Sequence, residues 1–166
     1  MSFHSKSLKP NDFVKTPDWI TTYLANHYGP FFDPCPVNPT FDGLAIEWGR
    51  ADPDALFTYW NPPYSTKDVW VQKAIRESKR GGPSIGLLPV DLSATWAVHL
   101  DQADARFRPL SPRLKFKSDG SPWFSSMFVF LSLEPHDGKG RFAIWRVKDM
   151  RSDLNNRLVV VGDVVT

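Results

Sequence analysis

Between Leu56 and Gln102 the chain alternates apolar runs with amphipathic ones, and this alternation constrains the fold more than any other feature. Leu56–Trp60 and Ile85–Val90 are short continuous apolar runs, the pattern of strands buried on both faces. Between them Val71, Ala74, Ile75 and Ser78 repeat with helical spacing up to Gly81-Gly82, and Ser65 followed by Asp68 resembles a capping box. A further helix is predicted from about Ser93 to Gln102, with Asp91 or Ser93 as its cap. Strand, helix, strand, helix is the signature of a parallel α/β sheet, in which ligands gather at the carboxyl ends of the strands.

The flanking segments extend this scheme. Residues 1–15 are polar and lysine-bearing without periodicity and read as a flexible or loosely docked arm. Thr16 can cap a helix that has Pro17 at its first position, Ile20, Tyr23, Leu24 and His27 on one face, and Gly29 at its end. Phe31-Phe32 reads as the end of a short buried strand that breaks at Asp33, and residues 36–55 read mostly as loop. In the tail, Arg113–Lys117, Ser126–Leu133, Phe142–Val147 and Leu158–Val165 all look like strands, most economically an antiparallel edge on the parallel sheet.

Composition narrows the class of function. At 166 residues and 42% hydrophobic, the chain suits one substantial core and is read as a single domain over 1–166. Twenty basic against 18 acidic residues leave a formal charge of +2, so any contact with a polyanion must use a local patch. The single Cys35 forms no internal disulfide, no secretion signal is evident, and no apolar run reaches the roughly 18 residues of a membrane helix. An intracellular protein without membrane association is expected. His4, His27, His99 and His136 lie far apart and Cys35 has no companion, so no metal is expected either.

The chemistry concentrates where the strand Leu56–Trp60 runs into Asn61-Pro62-Pro63-Tyr64. By composition such a tetrapeptide is a proline turn that ends a strand. Placed before a helix, at the edge where ligands gather, it also suits a planar amine. The Asn61 side-chain oxygen and the Pro62 carbonyl can each accept one hydrogen of an NH2 group, and Tyr64 can stack on the ring that bears it. Pro63 completes a stiff turn with no competing N–H donor.

The tetrapeptide in this context looks like the catalytic motif of amino-group methyltransferases, and the chain resembles the small phage-type, Dam-like DNA N6-adenine methyltransferases. The resemblance runs from about Asp12 to Leu131 and is carried by Thr16-Pro17, Phe32-Asp33-Pro34-Cys35, Asp42-Gly43-Leu44 with Trp48, Asn61-Pro62-Pro63-Tyr64-Ser65, Trp70-Val71-Gln72-Lys73-Ala74, Leu87-Leu88-Pro89 and Arg113-Leu114-Lys115-Phe116. It implies a Rossmann-like α/β methyltransferase sheet in a three-layer sandwich, with a parallel core and antiparallel C-terminal edge strands. It further implies S-adenosylmethionine as cofactor, with Thr16-Pro17 near its methionine carboxylate, Asp33, Pro34 and Cys35 forming the first cofactor loop, and Asp42 holding the ribose hydroxyls or the adenine edge. Asp33 is not followed by the glycine-rich turn of the larger enzymes, and the segment from it to Asn61 is short. Base sequence is expected to be read by loops and the tail rather than by a separate domain.

Under this reading DNA is the partner, adenine is drawn out of the duplex onto Tyr64, and methyl passes directly to N6 without a metal. Arg106, Arg108, Arg113, Lys115 and Lys117, punctuated by Phe107 and Phe116 and followed by Trp123 and Phe124, form a candidate phosphate-gripping stretch. The same pattern also fits solvated strand faces. Two other functions share these features: methylation of another planar amine, in protein glutamine or an RNA base, and a non-catalytic nucleic-acid or cofactor-binding module. The family resemblance suggests a phage or prophage origin and action in the host cytoplasm.

Overall fold

A computed structural model describes residues 12, 14–116 and 124–162, with side chains described as far as residue 157. The elements in order are α1 (Asp18–Tyr28), β1 (Phe31–Phe32), α2 (Trp48–Ala51), β2 (Phe57–Trp60), a 3-10 turn (Tyr64–Thr66), α3 (Lys67–Lys79), β3 (Ser84–Pro89), α4 (Thr95–Gln102), β4 (Arg106–Ser111), β5 (Ser126–Leu131), β6 (Trp145–Arg146) and α5 (Val147–Gly162).

The strands form one sheet in the order β1-β2-β3-β5-β4-β6. β1, β2 and β3 are parallel, with Phe31 opposite Phe57 and Tyr59 opposite Ile85. β5 pairs antiparallel with both β3 and β4, and β6 is parallel to β4. The fold is therefore the expected Rossmann-like α/β class, but the reversed strand lies inside the sheet and not at its edge. β5 is the most apolar segment of the tail and is buried at all six positions, which only an interior place satisfies.

Alternation along the strands sorts side chains into two layers. Phe57, Tyr59, Ile85, Leu87, Phe128 and Phe130 pack on one face under Ile20, Tyr23 and Leu24 of α1 and Met150 and Leu154 of α5. Trp60, Leu88, Met127, Val129 and Leu131 pack on the other under Trp70, Val71 and Ala74 of α3 and Trp96, Ala97 and Leu100 of α4. Helices on both faces of one sheet give three layers. α1 is tied to α5 by His27 Nε2 and Asp153 Oδ2 at 2.7 Å.

Several local expectations are corrected. The tail segment that begins at Leu158 continues helix α5 instead of forming a strand, and residues 163–165 lie outside the described part. Phe142–Val147 contributes only the two-residue β6 and a single bridge from Phe142 to Phe107. The strand expected at 113–117 lies earlier, at Arg106–Ser111, because Pro112 has no N–H to donate and ends the ladder. Residues 36–55 include the short helix α2. None of the predicted side-chain caps forms, since Thr16, Ser65 and Asp91 bond elsewhere. The glycine stops do hold: Gly29 and Gly81 have φ of 92° and 83°, and the Gly82 N–H returns to the Glu77 carbonyl at 3.1 Å.

Candidate active site

Because β1, β2 and β3 run the same way, the residues that follow them, Asp33, Asn61 and Val90, lie on one edge of the sheet. β4 also runs this way and β5 starts here, so Arg113–Phe116 and Phe124 reach the same edge. α1 begins at it too, which brings Val14 and Thr16 beside Asn61.

Asn61 is held from the side of the N-terminal segment. Its Nδ2 donates to the Val14 carbonyl and to Thr16 Oγ1, both at 3.0 Å. A carbonyl oxygen only accepts, so the group facing Val14 must be the NH2, and the amide orientation is fixed by chemistry. With both hydrogens engaged, Oδ1 is the atom left over, and no described residue donates to it. Thr16 Oγ1 is also 2.8 Å from Tyr59 Oη, and Thr16 and Tyr59 are buried. The last part of the predicted arm is thus docked: Val14 on Asn61, and Asp12 on Ser65 through bonds of 2.9 and 2.6 Å to its backbone N–H and hydroxyl.

Pro62 is buried, and no described N–H donates to its carbonyl; the Pro63 carbonyl instead accepts the Thr66 N–H at 3.0 Å. The Tyr64 hydroxyl is buried without a described partner, and burial pushes its ionisation well above the ordinary tyrosine range. Phe124 stands perpendicular to the Tyr64 ring, centroids 5.1 Å apart, and Phe116 lies 6.0 Å beyond Phe124. An aromatic cluster therefore borders the edge that carries Asn61.

The first loop is closed on itself. Asp33 Oδ1 accepts the Cys35 N–H at 2.9 Å, and burial raises the Asp33 carboxyl above the usual range while that bond partly offsets the rise. Burial also pushes the Cys35 thiol well up, the neighbouring Asp33 charge adds to this, and the Asn61 backbone N–H acts in the opposite sense. Cys35 packs as a wall residue. Asp42 forms a second closed turn, Oδ1 accepting the Leu44 N–H at 2.9 Å. The two loops are pressed together at Gly43, where an added Cβ would come within 1.8 Å of the Pro34 carbonyl. Phe32 stacks on Phe41 at 5.7 Å, and the Trp48 indole N–H donates to the Gly43 carbonyl at 2.8 Å, completing this wall.

A half-buried carboxylate at a strand end, with its own loop as its described partner, suits a cationic group. Asp33 therefore fits the methionine ammonium of S-adenosylmethionine. Thr16 fits an anion: the less exposed Tyr59 hydroxyl best directs its hydrogen at Thr16, which leaves the Thr16 hydrogen to be donated elsewhere.

The basic stretch divides. Arg108 is fully buried and bonds Asp137 twice, at 2.9 and 2.8 Å, and the Gly140 and Phe107 carbonyls at 2.9 and 3.0 Å. It is a core ion pair and cannot meet phosphate. Arg106 is bound by Glu134 at 2.9 and 3.2 Å and sits at the start of β4, about 17 Å of strand away from the edge that carries Asn61. The expectation for Arg108 is overturned, and Arg106 is set apart from the Asn61 edge, since strand direction and acidic partners beyond β5 were hidden from local sequence. Arg113 and Lys115 are exposed at that edge, with Leu114 between them anchored in the core. Lys117 and Trp123 lie outside the described residues. Tyr59 and Val14 were missed, because a strand aromatic and a carbonyl carry no motif.

Fold and strand-end site together define a methyltransferase-type α/β protein. More narrowly, the chain belongs to the DNA N-6-adenine-methyltransferase (Dam) family, whose model matches residues 4–121. A DNA N-6-adenine-methyltransferase of Escherichia phage T1 is 27% identical over 139 residues, an alignment that covers 74% of this chain and 55% of that protein. The chain spans about half the length of this curated relative. Among the described residues no helix is long and apolar enough to cross a membrane.

Proposed function

We propose that this chain transfers a methyl group from S-adenosylmethionine to the exocyclic N6 of adenine in DNA. The observation that carries the reading is the fixed amide of Asn61, whose two hydrogens are engaged by Val14 and Thr16 so that Oδ1 is left as an acceptor. The neighbouring Pro62 carbonyl is a second acceptor. Together they suit the two hydrogens of an adenine amino group and hold its lone pair toward the donor.

When bound, S-adenosylmethionine supplies an electrophilic methyl on a sulfonium sulfur. Asp33 would hold its ammonium, Thr16 beside Pro17 its carboxylate, and Asp42 its ribose or adenine edge, with Pro34 and Cys35 as wall. Tyr64 stacks on the extruded base, as enzymes acting on bases in a duplex require. Positive charge developing on N6 is stabilised by Asn61 Oδ1 and the Pro62 carbonyl, and the proton then leaves N6 for solvent. Arg113 and Lys115 provide phosphate contacts on the same edge, with Lys117 as a further candidate. The phage relative suggests that such a reaction takes place in the host cytoplasm.

The test is incubation with tritiated-methyl S-adenosylmethionine and mixed-sequence DNA, followed by nucleoside mass spectrometry. N6-methyladenine that disappears in Asn61→Ala, with the fold intact by circular dichroism, supports the reading. Label in RNA or protein instead of DNA moves the acceptor, and cofactor binding without any product moves the chain to a binding role.

A further inference from the structure

We infer that Tyr59, acting through Thr16, is a positioning residue for the Asn61 carboxamide, and that the pair sets which end of that amide faces the substrate. The inference rests on the proposed amino-methyl transfer for its consequence, but its geometry stands independently of it.

An asparagine side chain ending a strand has two orientations of similar shape and opposite polarity. One presents oxygen to an incoming amine and the other presents NH2, which repels it. The proline turn fixes the backbone but does not choose between them. The choice is made by the two partners of Nδ2. Val14 supplies a carbonyl at 3.0 Å, and Thr16 supplies a hydroxyl oxygen at 3.0 Å. The Val14 partner belongs to an extended segment just before α1. Thr16 is instead fixed within the core.

That fixing comes from Tyr59. Its ring is 1% exposed, and Thr16 is 8% exposed, so their 2.8 Å hydroxyl contact is shielded from water. Thr16 Oγ1 is the described hydrogen-bond partner of the Tyr59 hydroxyl, and β2 places Tyr59 two residues before Asn61 with its side chain on the α1 face. Asn61 Nδ2 can only donate, so Thr16 Oγ1 accepts from it. The Tyr59 O–H donating to the same oxygen would hold the hydroxyl in register for Asn61. If the Tyr59 hydroxyl is removed, Thr16 is free to turn its oxygen from Asn61, and one of the two restraints on the amide is lost. A purely structural tyrosine would affect stability but not amide orientation.

The experiment compares wild type with Tyr59→Phe, Thr16→Val and Thr16→Ser, using two readouts. In steady-state methylation of DNA, Thr16→Val is expected to lower kcat by about tenfold or more and Tyr59→Phe by about threefold to tenfold, the scale of one lost buried hydrogen bond. KM for DNA should change less than about twofold in both variants, since neither group is placed against DNA. KM for S-adenosylmethionine should rise in Thr16→Val, which also removes the hydroxyl proposed to meet the cofactor carboxylate, but not in Tyr59→Phe, so the kcat of Tyr59→Phe is the reading that isolates the relay. Thr16→Ser keeps the hydroxyl and should restore most of kcat. The second readout is independent of turnover: in asparagine-selective 15N spectra, with the Asn61 side-chain signal assigned from Asn61→Ala, solvent exchange of its amide protons should accelerate in Thr16→Val and Tyr59→Phe but not in Thr16→Ser. Unchanged kcat and unchanged exchange in folded Thr16→Val and Tyr59→Phe overturn the inference. If wild type itself methylates no DNA, the proposed function fails, and the exchange measurement alone then decides whether the relay orients Asn61.

Discussion

Gly86 of β3 lies directly beneath the indole of Trp60: a Cβ at position 86 would come within 2.4 Å of Trp60 Cζ2. Trp60 immediately precedes Asn61, is fully buried, and donates its indole N–H to Ser84 Oγ at 3.3 Å. Gly86→Ala must therefore displace the ring that seats the reaction-edge turn. We expect a loss of about 1–3 kcal/mol in urea unfolding, typical of overpacking, together with a fall in methylation larger than the remaining folded fraction explains.

Arg108 offers a contrast between sequence appearance and role. Burial opposes the ionised form of Asp137, but hydrogen bonds from Arg108, the Lys139 N–H and the Trp145 indole outweigh it and hold the carboxyl well below its usual range. A depressed folded pKa stabilises the fold above the unfolded value of about 3.9 and is lost as pH falls through the folded value. Arg108→Met leaves Asp137 without its cation and should cost about 3–5 kcal/mol. Asp137→Asn should destabilise at pH 7 and flatten the acid limb of a stability-against-pH curve. DNA affinity of the folded Arg108→Met fraction, measured by anisotropy, should be unchanged.

The contrast marks how far local sequence reaches. Strand, turn and helix around Asn61 were legible because apolar runs, two prolines and a double glycine act within a few residues. Asp33 and Asn61 could be placed on one edge because parallel strands end together. The interior position of β5 was not legible, since strand order depends on which apolar faces remain after the helices have docked. Leu158 and its neighbours read as strand because branched residues favour it, yet α5 extends through them as a helix begun at Val147. Arg108 and Arg113 look alike in sequence, and only strand direction together with distant Asp137 separates them.

Asp33 carries the opposite sign from Asp137. Burial raises its carboxyl, so its folded pKa lies above the unfolded one and the folded state binds the proton more tightly. Its contribution to stability is thus largest at low pH and declines as pH rises from the unfolded value through the folded one. Asp33→Asn keeps an acceptor for the Cys35 N–H and removes the half-buried charge. The thermal midpoint at pH 7 should rise, while affinity for S-adenosylmethionine, by calorimetry, should fall about tenfold or more with the loss of a charged partner. A variant that is both more stable and unaltered in affinity would remove Asp33 from the cofactor site.

Lys73 and Glu77 fasten the second loop to α3. Lys73 Nζ lies 2.6 Å from both Glu77 Oε1 and the Ile46 carbonyl, and Glu77 Oε2 accepts the Trp48 N–H at 3.2 Å. Both side chains are almost wholly buried, and removing Lys73 leaves Glu77 only the more distant and exposed Arg80, whose Nη1 lies 3.6 Å from Oε1, as a cation. Lys73→Met should cost about 3–5 kcal/mol. Adding Glu77→Gln, which retains an acceptor for Trp48, should recover a substantial part of that loss in a denaturant titration. Additive losses would show that the pair is not coupled.

Arg113 tests the assignment of the reaction edge to DNA. It is exposed, has no described acidic partner, and follows β4 at the edge that carries Asn61, with buried Leu114 anchoring the segment. Each phosphate neutralised by a cation contributes close to one unit to the slope of log affinity against log salt. Arg113→Ala should therefore lower that slope by about one and weaken binding most at low salt, with stability within about 0.5 kcal/mol of wild type. Arg106→Ala should leave the slope unchanged, because Arg106 is held by Glu134 at the far end of the same strand. If Arg106→Ala lowers the slope and Arg113→Ala does not, DNA lies across the opposite edge of the sheet and Asn61 cannot be the group that meets its bases.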